Sequence, residues 1–347
     1  MIIINRISEI KNRLKYFNLP TFLEYNFLNF FYKENKKIDH LYFLSKHSFL
    51  IGHTFYLKLN KSINYLKSNI ILIYILKYSK IKILFLGNSY FTNFPFFLIN
   101  RKFDVFKILK NMDKTISLVI IPDVLMKFLT NNSKYNFIKL RIEDDMILEL
   151  KSEWKDLSNY INSMKSKYKK KINKILERSN VISRKHLKLN DLDIYDLELQ
   201  SLFDQVVDRS RFNGPEFNTK TFSNLVSQNY LNIYGYFLNE KLIAFSSYFE
   251  NDQSLISYYV GFDQKLKDQY SLYSRILIDT IDIAIKNRKE KIIFGRTANE
   301  FKSNFGAVPL KSHIYIHFNN RFIHYLFKNI LKKYNLNKWI LRSPFKN

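Results

Sequence analysis

The first half of the chain alternates between short apolar runs and stretches in which apolar residues recur at helical spacing. The runs at 40–60, 81–87 and 117–122 predict strands, because each is short and rich in β-branched or aromatic residues. Residues 62–80 predict a helical or mixed apolar segment, and residues 102–112 predict a helix. Strands and helices in alternation are typical of an α/β unit.

Acidic residues interrupt the apolar pattern near the middle of the chain. Residues 137–142 and 146–151 each predict a strand, and Glu143, Asp144 and Asp145 lie between them. We therefore predict two separate strands here, with the first unit of the protein ending at about residue 150.

The second half predicts helices at 192–208 and 219–228, and then two strands joined at Asn239-Glu240. Its most informative stretch follows. A strand of alternating aromatics ends at Gly261, and an amphipathic helix over about 271–286 and a short apolar strand over 291–294 come next. This order is one crossover between parallel strands, and ligands of open α/β sheets bind at the carboxyl ends of such strands.

Three of the seven glycines lie at the joints of this crossover, where we expect positive φ or close approach of a ligand: Gly261, Gly295 and Gly306.

Two α/β halves of similar length predict an α/β (α+β) protein with two tandem units, each a mixed twisted sheet flanked by helices. The expected ranges are 1–150 and 151–320, followed by a basic amphipathic helix and tail over 321–347 that includes Trp339. A chain of 347 residues is long enough for two ordinary cores.

The net charge of +26 suggests a phosphate-rich or anionic partner. Lys, Asn, Ile, Phe and Tyr are abundant while Gly, Pro and Arg are scarce, as in proteins of AT-rich genomes, so compositional drift explains part of the charge. The densest basic run predicts a helix with one buried stripe and a cationic flank. This flank is either a solvated face or a cradle for a phosphorylated ligand or anionic lipid headgroups: Lys165, Lys167, Lys169, Lys170, Lys171, Lys174 and Arg178.

The absence of cysteine excludes disulfides, thiolate catalysis and Cys-ligated metal sites. The seven histidines include no HExxH pattern, and His313 and His317 share one face of a predicted strand without a third ligand, so we expect no metal. No window of 18 uncharged apolar residues is present, and the apolar run at the start is too short for a secretory signal. We expect a cytoplasmic protein.

Four segments of the second half resemble the FemAB-like branch of the GNAT acyltransferase superfamily, and more narrowly the bacterial proteins of peptidoglycan-biosynthesis-like type. The resemblance is good over about 160–318 and weak over 1–150. Its most specific part is a Gly-Arg-Thr turn followed by Lys-x-x-Phe-Gly. The segments are MKSKYKKKINK (164–174), VVDRSRF (206–212), SYYVGFD with SLYSRIL (257–263 and 271–277), and FGRTANEFKSNFGA (294–307).

The resemblance implies two packed GNAT-like units that transfer an acyl group to an amine of a small molecule or cell-envelope precursor. Acyl-CoA, with an acetyl or longer chain, would be a co-substrate, and no cofactor would be bound permanently. The usual Gly-rich donor loop is absent and GFDQKLKDQYS (261–271) replaces it, as in the branch that the chain resembles. Since relatives in that branch use aminoacyl-tRNA, tRNA is the alternative donor.

The resemblance also suggests roles for individual residues. Lys302 would stabilise an oxyanion or bind a donor phosphate, and Glu300 and Asp263 are the candidate general bases. The donor would contact Gly261, the amides of Ser271, Leu272 and Tyr273 at a helix start, Gly295, Arg296 and Gly306. The acceptor would contact Tyr259, Arg209, Arg211 and Lys169.

Other classes of function stay open at this point. A nucleic-acid-binding module fits the charge, although no helix-turn-helix, RNA-binding strand signature or basic arm is present, and we expect no DNA partner. A non-catalytic scaffold of the same fold is a further alternative. The basic helix or the tail would allow peripheral contact with the anionic inner face of a membrane.

Overall fold

The computed structural model describes residues 1–58, 80–91, 94–99, 103–130, 136–210, 214–331 and 336–346. The segment predicted for 62–80 and the candidate residue Arg211 therefore lie outside the described residues. The chain divides into two compact units. Unit 1 consists of Met1–Ile142, Arg211–Asn218 and Ser312–Asn337, and unit 2 consists of Glu143–Ser210, Thr219–Lys311 and Lys338–Asn347.

The described strands are β1 Ile2–Ile4, β2 Asp39–Leu44, β3 Ser48–Lys58, β4 Lys80–Leu86, β5 Phe97–Ile99, β6 Phe103–Asp104, β7 Leu118–Pro122, β8 Leu129–Thr130, β9 Ile138–Glu149, β10 Ser183–His186, β11 Asn232–Leu238, β12 Lys241–Glu250, β13 Ser254–Phe262, β14 Lys291–Gly295 and β15 Val308–Phe318. The helices are α1 Ile7–Leu14, α2 Tyr25–Glu34, α3 Val105–Lys110, α4 Asp123–Met126, α5 Leu157–Asn162, α6 Ser166–Arg178, α7 Leu189–Ile194, α8 Asp196–Arg209, α9 Thr221–Ser227, α10 Leu272–Lys286, α11 Asn299–Ser303 and α12 Arg321–Leu331, with a 3-10 turn at Thr21–Leu23. The predicted α/β class is confirmed.

Unit 1 is built on strands in the order β1-β2-β3-β4-β7-β15, with β5 beside β3. Strands β4 and β7 are parallel, and the other pairs of this path are antiparallel. Most of the buried side chains are apolar, and the buried polar ones include His40, His53 and Thr54 on β2 and β3. The core of this sheet includes Leu50, Leu84, Val119 and Ile121.

Unit 2 is built on strands in the order β9-β14-β13-β12-β11-β10. Strands β13 and β14 run parallel, and α10 connects them. The other pairs of this path are antiparallel. Helix α10 has a buried apolar face that includes Leu277, Ile278 and Ile281, and this face packs into the core with Leu148 and Ile292. The sheet and helix thus hold the carboxyl ends of β13 and β14 in fixed positions.

The structure differs from the predicted pattern at the acidic residues of β9. Residues 137–142 and 146–151 do not form two strands, since one strand runs through Glu143, Asp144 and Asp145. Asp144 and Asp145 are buried, and Lys302 lies close enough to interact with Asp145 and Glu143 electrostatically. A buried charge is tolerated when another charge compensates it, and a distant residue of the chain supplies that charge here.

The tail also differs from the prediction of one basic helix. Helix α12 ends at Leu331, and residues 336–346 contain no helix. Phe345 forms an isolated bridge with Met164, and Trp339 and Phe345 pack against the core of unit 2. Burial of these two rings stabilises the extended conformation of the tail. This effect outweighs the helical conformation that the spacing of apolar residues predicted. Among the described residues, no helix is long and apolar enough to cross a membrane.

Gly306 is expected to tolerate no side chain. Its φ is +86°, and a Cβ at this position would lie 2.2 Å from Cε2 of Phe345. Because Ala would add both backbone strain and a clash, we expect Gly306→Ala to lower the free energy of unfolding by about 2 kcal/mol, measured by urea denaturation. Combining it with Phe345→Ala should remove the clash and leave the strain, so the two losses should not add. Simple additivity of the losses would contradict this account.

Candidate functional site

The parallel strands of the crossover pair over a short length and then separate. Strand pairing joins Ser254–Ile256 to Lys291–Ile293, whereas β13 continues to Phe262. Within the described part of the chain, no strand pairs with this edge of β13 beyond Ile256. The register between β12 and β13 shifts where Tyr258 and Tyr259 lie opposite Ser247, which is a bulge, and bulges bend a strand. The separation opens a cleft between the carboxyl ends of two parallel strands.

The serine hydroxyl at the bulge holds this distortion in place. Ser247 Oγ donates to the carbonyl oxygen of Tyr259 at 2.8 Å and accepts from the Tyr259 amide at 3.1 Å. The Tyr259 ring packs 4.9 Å from Phe203 and 4.2 Å from Tyr258, and burial raises the pKa of its phenol. Tyr259 is therefore packed in the bulge.

The start of α10 is the second feature of the cleft. Ser271 precedes the helix with a φ of +52°, which is uncommon for a residue with a side chain. The Leu272 amide already donates to the carbonyl of Lys267 at 3.0 Å. Of the three amides predicted to cradle an anion, those of Ser271 and Tyr273 have no acceptor among the described residues. Such left-handed residues and unpaired helix amides often occur at functional sites.

Lys302 lies beneath the turn that follows β14. Its side chain is 3% exposed, and Nζ donates to the carbonyl oxygens of Phe294, Gly295 and Arg296 at 2.9, 3.0 and 2.8 Å. These three bonds use the whole donor capacity of an ammonium group. In this geometry Lys302 fixes the turn and has no donor left for an oxyanion.

The turn itself has an unusual backbone. Gly295, Thr297 and Ala298 all have positive φ, and Ala298 precedes the short helix α11 that carries Lys302. Positive φ at two residues with side chains stores strain that the surrounding contacts must offset. The bonds from Lys302 to the carbonyls are the contacts that do so.

Burial lowers the pKa of Lys302 to about 7, while Asp145 and Glu143 act in the opposite direction. Because the ordinary value is 10.5, the unfolded chain binds more protons than the folded one between pH 7 and 10.5. The free energy of unfolding should therefore rise with pH across this window, by up to about 1.4 kcal/mol for each pH unit. The measurement is urea denaturation at several pH values, with Lys302→Met as the reference for all other titrating groups. If the free energy of unfolding of wild type minus that of Lys302→Met is constant or falls as the pH rises, the lowered pKa of Lys302 is contradicted.

The two candidate bases differ in their surroundings. Glu300 forms an ion pair with Arg342, which holds the pKa of that carboxyl below its ordinary value. Asp263 lies at the end of β13, and its Oδ1 accepts from the amide of Lys265 at 2.8 Å. Asp263 therefore shapes the loop that leads to α10, at the carboxyl end of β13.

The other predicted site residues do not lie together. At two of the glycines, protein atoms occupy the space beside the backbone where a ligand was expected. A Cβ on Gly261 would lie 2.8 Å from the backbone of Leu202 and Phe203, so α8 makes the close approach there. At Gly306 the ring of Phe345 does so. Arg209 is exposed at the end of α8. Lys169 donates to Asn162 Oδ1 at 2.6 Å on the surface.

The sequence pattern did not reveal Arg342. It pairs with Glu300, and its amide donates to Ser303 Oγ at 3.1 Å. It lines an open cavity together with lysines of α6. Arg342 lies in the tail, and the tail docks through contacts that no local periodicity indicates. The basic run itself was the one available signal for this cavity.

Two solved structures share the architecture over nearly the whole chain. One is L-PGS from Bacillus licheniformis, with a TM-score of 0.52, 11% identity and coverage of 96% of this chain and 98% of that chain. The other is FemX, with a TM-score of 0.51, 10% identity and coverage of 94% and 100%. No protein-family model and no curated protein matches the chain. The chain shares the fold of these two proteins.

Proposed function

We propose that this protein is an acyltransferase that moves an acyl group from acyl-CoA to an amine of a small molecule or cell-envelope precursor. The observation that carries the proposal is the cleft between β13 and β14, within a fold that resembles L-PGS and FemX over both units. An extended donor can bind along a strand edge through backbone hydrogen bonds. The end of β13 around Val260, beyond the residues that pair with β14, supplies such an edge.

The residues of the cleft have distinct parts in this reaction. The amine nitrogen attacks the thioester carbonyl, the C–N bond forms, the C–S bond breaks, and the thiolate of CoA leaves. Open amides at the start of α10 can bind phosphate oxygens of the donor. Lys302 is a positioning residue, since it fixes the turn at the end of β14. Asp263 is the carboxylate that can take the proton of the amine.

The absence of cysteine makes the direct test simple. Release of CoA can be followed with a thiol reagent because the protein itself adds no thiol. We expect amine-dependent release from acetyl-CoA or a longer acyl-CoA, and a lower rate for Asp263→Asn at unchanged stability. Asp252→Asn, at an exposed loop position, is the matched control. No release with any acyl chain and any amine would overturn the proposal of an acyl-CoA donor.

Aminoacyl-tRNA is the second candidate donor. The observation in its favour is the group of lysines on α6 that lines a cavity with Arg342, since such a surface attracts RNA phosphates. Deacylation of aminoacyl-tRNA that requires the amine acceptor would support this donor.

The cationic surface also fits peripheral contact with an anionic membrane. Sedimentation with vesicles that contain phosphatidylglycerol tests that contact.

A further inference from the structure

A cavity of about 580 Å³ in unit 2 has a strongly cationic lining. It lies between α6, α11 and the tail, and its formal charge is an excess of four positive charges. The remaining lining side chains offer an aromatic ring and an amide. Its residues are Lys167, Tyr168, Lys170, Lys171, Lys174, Glu300, Asn304 and Arg342.

The four lysines of this cavity lie side by side on one face of helix α6. Lys167, Lys170, Lys171 and Lys174 follow the spacing i, i+3, i+4 and i+7, which places all four on one face of α6. Like charges at this spacing repel and destabilise a helix. Among the described residues, none of the four forms an ion pair, and the one acid, Glu300, pairs with Arg342. Such a face favours an anionic ligand.

Compositional drift accounts for scattered lysines but not for this cluster. Lys169 belongs to the same helix, yet it lies outside the cavity and bonds to Asn162. Within the cavity, burial and the charges of Arg342 and Lys167 lower the pKa of Lys171. A bound anion would remove this mutual repulsion.

Contacts at both ends of α6 hold the cavity wall in place. Before the helix, the Lys165 amide donates to the carbonyl of Pro344 in the tail at 2.8 Å. After the helix, Arg275 of α10 donates to the carbonyl oxygen and Oγ of Ser179 at 3.0 and 3.1 Å. A wall fixed in this way loses little entropy when a ligand binds.

A row of packed rings, tilted against one another, connects the cavity to the start of α10. The rings of Phe262 and Tyr273 are 5.9 Å apart, those of Tyr273 and Phe301 are 5.3 Å apart, and Lys171 Nζ lies 5.7 Å from the centre of the Phe301 ring. Phe262 ends β13, and Tyr273 is in the first turn of α10. These packed side chains therefore link the cationic cavity to the start of α10, where the donor is proposed to bind.

We propose that the cavity between α6, α11 and the tail binds the phosphorylated adenosine end of the acyl donor. This inference rests on the proposed function. Ammonium groups bind phosphate oxygens as point charges, and Tyr168 offers a ring on which a base can stack. A phosphate group beside an adenine occurs in CoA, as the 3′-phosphate at the end remote from the thioester, and in the CCA end of tRNA, as the phosphodiester on the 5′ side of the terminal adenosine, so the experiment must distinguish these sources.

The experiment measures dissociation constants of three probes at fixed salt. The probes are CoA, dephospho-CoA and an RNA stem that ends in CCA and carries no aminoacyl group. The proteins are wild type, Lys171→Gln/Lys174→Gln, and Lys169→Gln as a control on the same helix. We expect the double variant to bind CoA or the RNA at least about tenfold more weakly, since two charge-assisted contacts are lost. The control should bind like wild type.

The comparison of CoA with dephospho-CoA identifies the source. If the cavity takes the 3′-phosphate, wild type prefers CoA and the double variant loses this preference. If the source is tRNA, the RNA binds and its salt dependence is less steep in the double variant. Unfolding midpoints should be similar in all three proteins, and that of the double variant should be no lower than that of wild type, because these side chains are exposed and their mutual repulsion is reduced.

Two outcomes overturn the inference in different ways. Wild-type affinity in the double variant, or an equal loss in Lys169→Gln, would remove the cavity from donor binding and leave the proposed function intact. Failure of wild type to bind any of the three probes would remove the nucleotide donor and the cavity site together.

Discussion

Replacing Lys302 by Met is expected to lower the free energy of unfolding by about 3–5 kcal/mol at pH 7. The amino group, about half protonated at this pH, donates to three buried carbonyls and lies near Asp145 and Glu143. Methionine has a similar length but no donor and no charge, so the carbonyls and the acids would be left unsatisfied. Urea denaturation of the two proteins measures the difference.

An exposed lysine provides the control for this prediction. Lys174→Met removes a charge from α6, where Lys174 is exposed, and should leave the unfolding midpoint nearly unchanged. If Lys302→Met were as stable as wild type but inactive, the buried geometry would not be its main role. Direct contact of Lys302 with reacting groups would then be the better explanation.

The crossover could be predicted because its local pattern and its packing agree. The helix expected over 271–286 is Leu272–Lys286, and the strand expected over 291–294 is Lys291–Gly295. The apolar strand packs into the core as expected, whereas the helix expected to be amphipathic is buried on nearly every side, including Asp279 and Asp282. Of the two alternatives expected at the glycines, positive φ or close approach of a ligand, the first is found at Gly295 and Gly306 and not at Gly261.

The contents of the site could not be predicted, because they depend on partners distant in sequence. Asp145 can be buried in β9 because Lys302 compensates it. The space at Gly306 accommodates Phe345, and Arg342 reaches the cavity because the tail docks along α6. None of these contacts has a signature in the local sequence. The sequence therefore indicated a cationic helix and a turn with positive φ, but not the residues that contact them.

A buried ion pair within α10, which Arg184 of β10 also approaches, is the basis of the second large effect. Arg275 Nε donates to both carboxylate oxygens of Asp279 at 3.0 and 2.9 Å, and Arg184 lies 3.5 Å from the same carboxylate. Burial raises the pKa of Asp279, while Arg275 and Arg184 oppose that rise. We expect Asp279→Ala to lower the free energy of unfolding by about 3 kcal/mol, because Arg275 loses its carboxylate and Arg184 keeps only that of Asp282, 3.8 Å away.

A double variant separates the loss of the pair from the loss of the aspartate alone. Breaking one side of a buried pair costs more than replacing both sides, so Arg275→Met/Asp279→Ala should be more stable than Asp279→Ala. Glu216→Ala is the matched control, because it removes one half of the exposed pair with Lys37 and should change stability little. If the double variant were less stable than Asp279→Ala, the bonds from Arg275 to Ser179 would be the dominant contact. Arg275 would then hold α6, and the cationic face that α6 presents, without help from its carboxylate.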